Sequence, residues 1–143
     1  MKSLLLLLGA TLLASAAHAQ KVAPGQVPAA AKATFRAKFP AVKSVAWEKE
    51  GANFEAGFKL NGKTMSAVLT PAGALQETET DIMPAQLPAA VRATLARDYK
   101  AYKVAEAATI VRTDGSTVYE AEVAKGGRKQ DVLFTADGRV VTP

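Results

Sequence analysis

The stretch Val-Pro-Ala-Ala-Ala-Lys-Ala-Thr-Phe-Arg-Ala-Lys-Phe-Pro-Ala-Val-Lys at 27–43 recurs without a gap as Leu-Pro-Ala-Ala-Val-Arg-Ala-Thr-Leu-Ala-Arg-Asp-Tyr-Lys-Ala-Tyr-Lys at 87–103, an offset of 60. The identical pairs are Pro28/Pro88, Ala29/Ala89, Ala30/Ala90, Ala33/Ala93, Thr34/Thr94, Ala41/Ala101 and Lys43/Lys103. Ala-rich helices can align by composition alone, so a second, independent match matters. At an offset of 65, Phe54-Glu55-Ala56 meets Tyr119-Glu120-Ala121, and Gly62, Thr70 and Gly73 meet Gly127, Thr135 and Gly138. The change of offset places five extra residues in the first hairpin of the later copy. Self-similarity at a fixed period predicts one supersecondary unit written twice.

Each copy opens with proline at the first helical position, where its fixed φ helps and its missing N–H costs nothing. Val27, Ala31, Phe35 and Phe39, matched by Leu87, Val91, Leu95 and Tyr99, recur every four residues. They form one apolar stripe per helix, widened by Ala30 and Thr34. Pro40 ends the first helix; the second has Lys100 there and is expected to run on slightly. Beyond each helix the period becomes two. Phe54, Ala56, Phe58 and Leu60 alternate with polar or small residues, as do Tyr119, Ala121 and Val123, the pattern of strands covered on one side. Asn61-Gly62, Asp114-Gly115, Gly126-Gly127 and Asp137-Gly138 supply the positive-φ residues of tight turns.

The expected fold is therefore α+β: a tandem repeat of one helix followed by an antiparallel meander, with both helices on one face of the sheet. A unit of about 60 residues buries too little surface to be comfortably stable alone. The two copies are expected to share one core or one continuous sheet, joined through 80–86. The boundaries read as a leader at 1–19, a linker at 20–26, a first copy at 27–82 and a second at 83–143.

The leader rests on Met1, Lys2 and Ser3, an apolar run from Leu4 to Ala17, and Ala17-His18-Ala19 before Gln20. This order of charge, apolar core and small residues is that of a secretory signal peptide cleaved between Ala19 and Gln20. The run of 14 residues is short of the approximately 20 that span a bilayer, so a membrane-embedded protein is not expected. Cleavage would leave 124 residues, remove the only histidine and lower the formal charge from +5 to +4. There is no cysteine, hence no disulfide framework and no lipid-bearing Cys where Gln20 stands. A periplasmic or secreted destination follows. Lys and Arg are scattered among acids, which reads as a solvated surface and not a nucleic-acid site.

The segments at 27–35 and 38–51, Phe54-Glu55-Ala56, the Asn61-Gly62 turn, Glu77-Thr78-Glu79-Thr80 and Leu87-Pro88-Ala89-Ala90-Val91 together resemble the PepSY-like family, also described as β-lactamase-inhibitor-like proteins. The resemblance covers nearly all of the chain beyond the leader. It implies a secreted helix-and-sheet tandem repeat with a fold similar to β-lactamase inhibitor proteins, and a role in holding or inhibiting a partner such as a peptidase. It defines no contact residues to carry over.

The residues themselves argue against an enzyme. A Ser-His-Asp or Cys-His hydrolase needs a base titrating near neutrality, and no histidine remains after cleavage. No cofactor is expected, and without His or Cys neither is a zinc or copper site. Glu77, Glu79 and Asp81 share one strand face at steps of about 6.6 to 7 Å, too far apart for two of them to clasp one calcium at about 2.3 to 2.6 Å. They read as a solvated or edge-protecting strand. Leu75 has the same parity, which requires a bulge or a strand that outruns its helix cover. Asp114-Gly115 and Asp137-Gly138 lack the spacing of a calcium loop and read as turns. Trp47, Phe54, Phe58 and Tyr119 read as core.

On the sheet face opposite the helices the register brings Glu55 level with Glu120, Gly57 with Glu122, Ser66 with Asp131 and Val68 with Leu133. Val68 and Leu133 are expected there as exposed apolar residues in a polar field. Glu55, Val68, Glu120, Glu122 and Leu133 are the candidate surface for a protein partner in the cell envelope. The alternative is a small-ligand or envelope-polymer binder using a groove between the copies.

Overall fold

The computed structural model describes residues 20–142, so the expected leader at 1–19 lies outside the described residues. Eight strands form one antiparallel sheet in chain order: β1 (Gln20–Val22), β2 (Val45–Glu50), β3 (Asn53–Leu60), β4 (Lys63–Leu69), β5 (Leu75–Ile82), β6 (Lys103–Arg112), β7 (Thr117–Lys125) and β8 (Arg128–Phe134). Helix α1 (Ala29–Lys38) lies between β1 and β2, and α2 (Ala89–Asp98) between β5 and β6. A 3-10 turn precedes each helix, at Pro24–Gln26 and Pro84–Gln86. The order strand, 3-10 turn, helix and three strands thus runs from Gln20 to Leu69 and again from Leu75 to Phe134.

Residues 20–26 are not a linker. Val22 sits opposite Trp47 in the β1–β2 ladder, and the following turn is closed by its own side chain: the Ala23 N–H donates to Gln26 Oε1 at 3.1 Å. The second turn is closed in the same way, with the Met83 N–H donating to Gln86 Oε1 at 2.8 Å. Pro28 and Pro88 occupy the N-cap positions rather than the first helical residue, a one-residue difference in where the helix begins. The helices are equally long. Without a proline at 100, α2 still stops where α1 does: Tyr99 leaves helical geometry with φ −116° and ψ 24°, and the chain turns to start β6, the Tyr102 N–H donating to the Tyr99 carbonyl at 2.8 Å.

The turns obey steric demands. Asn61 and Gly62, with φ of 51° and 76°, make the two-residue β3–β4 hairpin, as the right-handed strand twist favours. The long hairpin of the second half is β6–β7, whose first strand spans ten residues against six in β2.

All helix-facing positions lie on one side of the sheet, in two clusters. Under α1, Ala31 and Phe35 pack with Trp47, Phe54, Ala56, Phe58, Ala67 and Leu69. Under α2, Val91 and Leu95 pack with Ala107, Ala121, Val123, Val132 and Phe134. Phe35 makes edge contacts with Trp47 and Phe58 at centroid distances of 5.5 and 5.1 Å. Tyr119 is half-buried at the margin of the second cluster. The sheet is continuous between the clusters: β4 pairs with β5 and β5 with β6.

β5 is consequently a central strand, which corrects the edge-protecting half of the reading of its acids as a solvated or edge-protecting strand. The parity conflict at Leu75 is resolved by a bulge. Val68 pairs with Glu77 while Leu69 pairs with Leu75, so one β5 residue is looped out and Leu75 returns to the helix side, packed against the first cluster.

Candidate functional site: the open face of the sheet

The side of the sheet away from the helices has no covering layer among the described residues. Its occupants follow from the strand registers. One row runs Glu48, Glu55, Val68, Glu77, Arg112 across β2 to β6. The next runs Ala46, Gly57, Ser66, Glu79, Ile110, Val118. A third runs Asp81, Ala108, Glu120, Leu133, and a fourth Glu106, Glu122, Asp131. With Glu50 at the end of β2, ten of the chain's thirteen acidic residues stand on this one face, although the chain as a whole carries a formal +5.

Neutralising cations are sparse there. Arg112 Nε lies 3.7 Å from Glu77 Oε2, and Lys129 Nζ lies 2.7 Å from Glu122 Oε1. Glu48 sits directly opposite Glu55, and Glu122 opposite both Glu106 and Asp131, arrangements that are unfavourable in an antiparallel pair. The electrostatics respond. Burial, then the charges of Glu120, Glu55, Asp81 and Glu77, push the Glu79 carboxyl up to about 8. Burial, then Asp131, Glu77, Glu122 and Glu55, push Glu120 up to about 7. Glu50 is raised by burial and by Glu55 and Glu77, and Asp131 by burial and by Glu122. Each shift has the same origin, since desolvation and like charge both disfavour the ionised form.

An apolar band crosses the acids. Val68, Ile110 and Val118 are only 9 %, 4 % and 5 % exposed, yet they belong to neither helix-side cluster. The expectation that Val68 is exposed is therefore corrected: flanking side chains cover it even though no helix does. Leu133 is half-buried. Glu55, Glu120 and Glu122 stand on this face as expected, all half-buried. Sequence reasoning did not find Glu79, Ile110 and Val118. The run Ala107-Ala108-Thr109-Ile110-Val111 is apolar on both parities, so alternation alone does not assign its faces. The acids of β5 were read as a solvated or edge-protecting strand and not as part of this face.

Of the hollows in the surface, two bear on the candidate readings. On the open face a cavity of about 250 Å³ is lined by Glu48, Glu55, Ser66, Glu79 and Asp81. On the helix side a groove of about 600 Å³ lies between the second 3-10 turn, α2 and the start of β6, lined by Leu87, Arg92, Leu95, Tyr99, Lys100 and Tyr102. It belongs to the second half of the chain. Among the described residues no three His, Cys, Asp or Glu side chains are grouped so as to hold a metal ion, and no helix is long and apolar enough to cross a membrane.

No protein-family model matches the chain and no curated protein does. Solved structures do. A protein of Bacteroides eggerthii provisionally named as periplasmic superposes with a TM-score of 0.72 at 22% identity, covering 81% of this chain and 86% of its own. A DUF2874 family protein of Bacteroides uniformis gives 0.71 at 22% identity, over 80% and 86%. A BLIP-like protein of Bacteroides fragilis gives 0.64 at 21% identity, over 80% and 84%. At such identities the likeness is one of fold: two helices on an eight-stranded antiparallel sheet, in an architecture shared with a BLIP-like protein.

Proposed function

We propose that this chain is an exported, non-enzymatic protein-binding module that grips a periplasmic or secreted enzyme, such as a peptidase, with the open face of its sheet. In this reading its two halves are copies of one PepSY-like unit, at 27–82 and 83–143, and residues 1–19 are a cleaved leader. One observation carries the proposal: both helices cover the same side of the sheet, leaving an uncovered side of buried valine and isoleucine set among carboxylates. A broad face combining apolar and charged groups has the make-up of a recognition surface, and no spacing among Ser44, Ser66, Ser116 and the lysines supports a nucleophile with its base. The BLIP-like and periplasmic fold relatives support the compartment and the type of role.

The test is retention of envelope proteins by residues 20–143, compared with a Gly57→Tyr variant. Gly57 stands on the open face, where an added Cβ meets only the Ala46 carbonyl oxygen at 3.8 Å, so tyrosine blocks the face without altering its charge. Capture of one enzyme by the parent and its loss in the variant is the expected result. Equal capture by both would exclude this face.

The helix-side groove favours a second reading, a small-ligand or envelope-polymer binder. Tyr99 and Tyr102 meet edge to face at 5.8 Å beside Arg92 and Lys100, a setting suited to an anionic ligand with a flat apolar part. A thermal-shift screen with anionic sugars and aromatic acids tests it, since a ligand that binds only the folded chain raises its melting point.

A further inference from the structure

The open face gathers negative charge that the rest of the molecule does not share. The chain is basic, yet ten of its thirteen acids are here, and among the described residues only Glu77 and Glu122 of the ten have a cation within ion-pair distance. Of the three acids elsewhere, two are locally neutralised: Asp98 pairs with Arg97, and Asp137 with Arg139. Like charges facing each other across a ladder weaken a sheet, and a sequence that breaks such a local rule tends to do so where it functions.

We infer that the occupant of this face is a cationic segment of a partner protein, bearing Lys or Arg side chains and lying across the strands. The inference rests on the protein-binding reading above and specifies its chemistry. Dimensions favour a polypeptide over a small polyamine. The acids span β2 to β8, six inter-strand steps or roughly 29 Å, while four rows at two-residue steps give a width of about 20 Å, room for a helix about 10 to 12 Å across. Half-buried Leu133 would meet the aliphatic stems of the same long cations, which lie along apolar surface with their heads among carboxylates.

Binding of that kind replaces neighbouring negative charge by positive charge, so Glu79 and Glu120, both raised by their surroundings, should ionise and release protons on association.

The experiment titrates residues 20–143 with a decalysine peptide by calorimetry at pH 7, with decaglutamate as control, in two buffers of different ionisation heat. Expected are binding that weakens about tenfold between about 20 and 200 mM salt, proton release, and, in a parallel NMR titration, amide shifts confined to the open-face residues of β2 to β8. The double variant Glu55→Gln/Glu79→Gln should bind about fivefold or more weakly with its thermal stability undiminished, the removal of one or two carboxylate contacts having this scale. No binding, equal binding by the double variant or by decaglutamate, or shifts on the helix side would overturn the inference. So would a mass that grows with protein concentration at low salt and reverts in the double variant, because the occupant would then be a second copy of this chain. Should Gly57→Tyr abolish capture of an envelope enzyme while Glu55→Gln/Glu79→Gln leaves it unchanged, the protein-binding reading would stand and the cationic partner would fall.

Discussion

Gly138 approaches Ala90 so closely that a Cβ placed on it would lie 2.5 Å from the Ala90 carbonyl oxygen, and Gly73 repeats the relation to Ala30 at 2.8 Å. The chain after β8 is thus pressed against α2 as the chain after β4 is pressed against α1. Thr94 Oγ1 adds a hydrogen bond to the Gly138 carbonyl at 2.8 Å. Gly138→Ala meets both a positive φ of 82° and the helix backbone, and should destabilise by about 2 kcal/mol or more. Gly62→Ala is the control. Its φ is 76° with nothing within 4 Å of the added carbon, so strain alone applies, about 1 kcal/mol. Urea midpoints of the two variants measure the difference, and equal midpoints would remove the close approach as a constraint.

Phe35 is the pivot of the first cluster. Its ring touches Trp47, Phe58 and Phe39 at centroid distances of 5.1 to 5.5 Å, and α1 has few other large side chains to bury. Phe35→Ala should cost about 3 to 5 kcal/mol. The emission of Trp47, the single tryptophan, should shift to the red as water reaches the vacated space. A variant keeping parental emission and stability would contradict the packing described.

The aromatic residues divide by cluster: Trp47 belongs to the first, whereas Tyr99, Tyr102 and Tyr119, all three tyrosines of the chain, border the second. Tryptophan fluorescence and tyrosine near-ultraviolet dichroism therefore report separate halves. Because β5 is paired with β4 on one side and with β6 on the other, the two signals should lose structure at one denaturant concentration, the mark of a cooperative unit. Separate midpoints would show that β5 is a seam.

Glu79 gives the molecule a pH dependence of definite sign. Its carboxyl is raised from the ordinary 4.5 to about 8 by burial first, and then by Glu120, Glu55, Asp81 and Glu77. Below 4.5 both folded and unfolded chains hold this proton. Between 4.5 and about 8 the unfolded chain releases it while the folded chain keeps it, so this contribution to stability falls as pH rises and is lost above about 8. Melting temperature should therefore decline between pH 5 and 8, and Glu79→Gln should flatten the decline. A parental curve that rises across this interval would reverse the assignment.

How much of this was legible in the sequence depends on how many residues carried each signal. The helix stripes through Phe35 and Leu95 and the alternation of β3 and β7 are long enough to read directly. β1 is three residues long and has no periodicity to offer. Its only trace is that Val22, Pro24 and Gln26 stand 60 positions before Ile82, Pro84 and Gln86, which an alignment begun at 27 passes by. The burial of Val68 was hidden for another reason. Alternation assigns a side chain to a face, but whether it is shielded there depends on its neighbours on the adjoining strands, and the rank of β5 within the sheet is a tertiary fact.

Every ladder in this sheet joins strands that follow each other in the chain. Most strands of a chain so wired need no distant segment: as it emerges N-terminus first, strands joined by short turns meet a template already in place, and only β2 and β6 must close over a helix. Growth of the sheet can then proceed in one direction like a zip, with little time spent as an open, adhesive edge. The last residues finish the process. Val140 bridges to Phe134, and the Val141 N–H donates to the Leu133 carbonyl at 2.8 Å, so the Leu133–Phe134 end of β8 has its outer edge occupied.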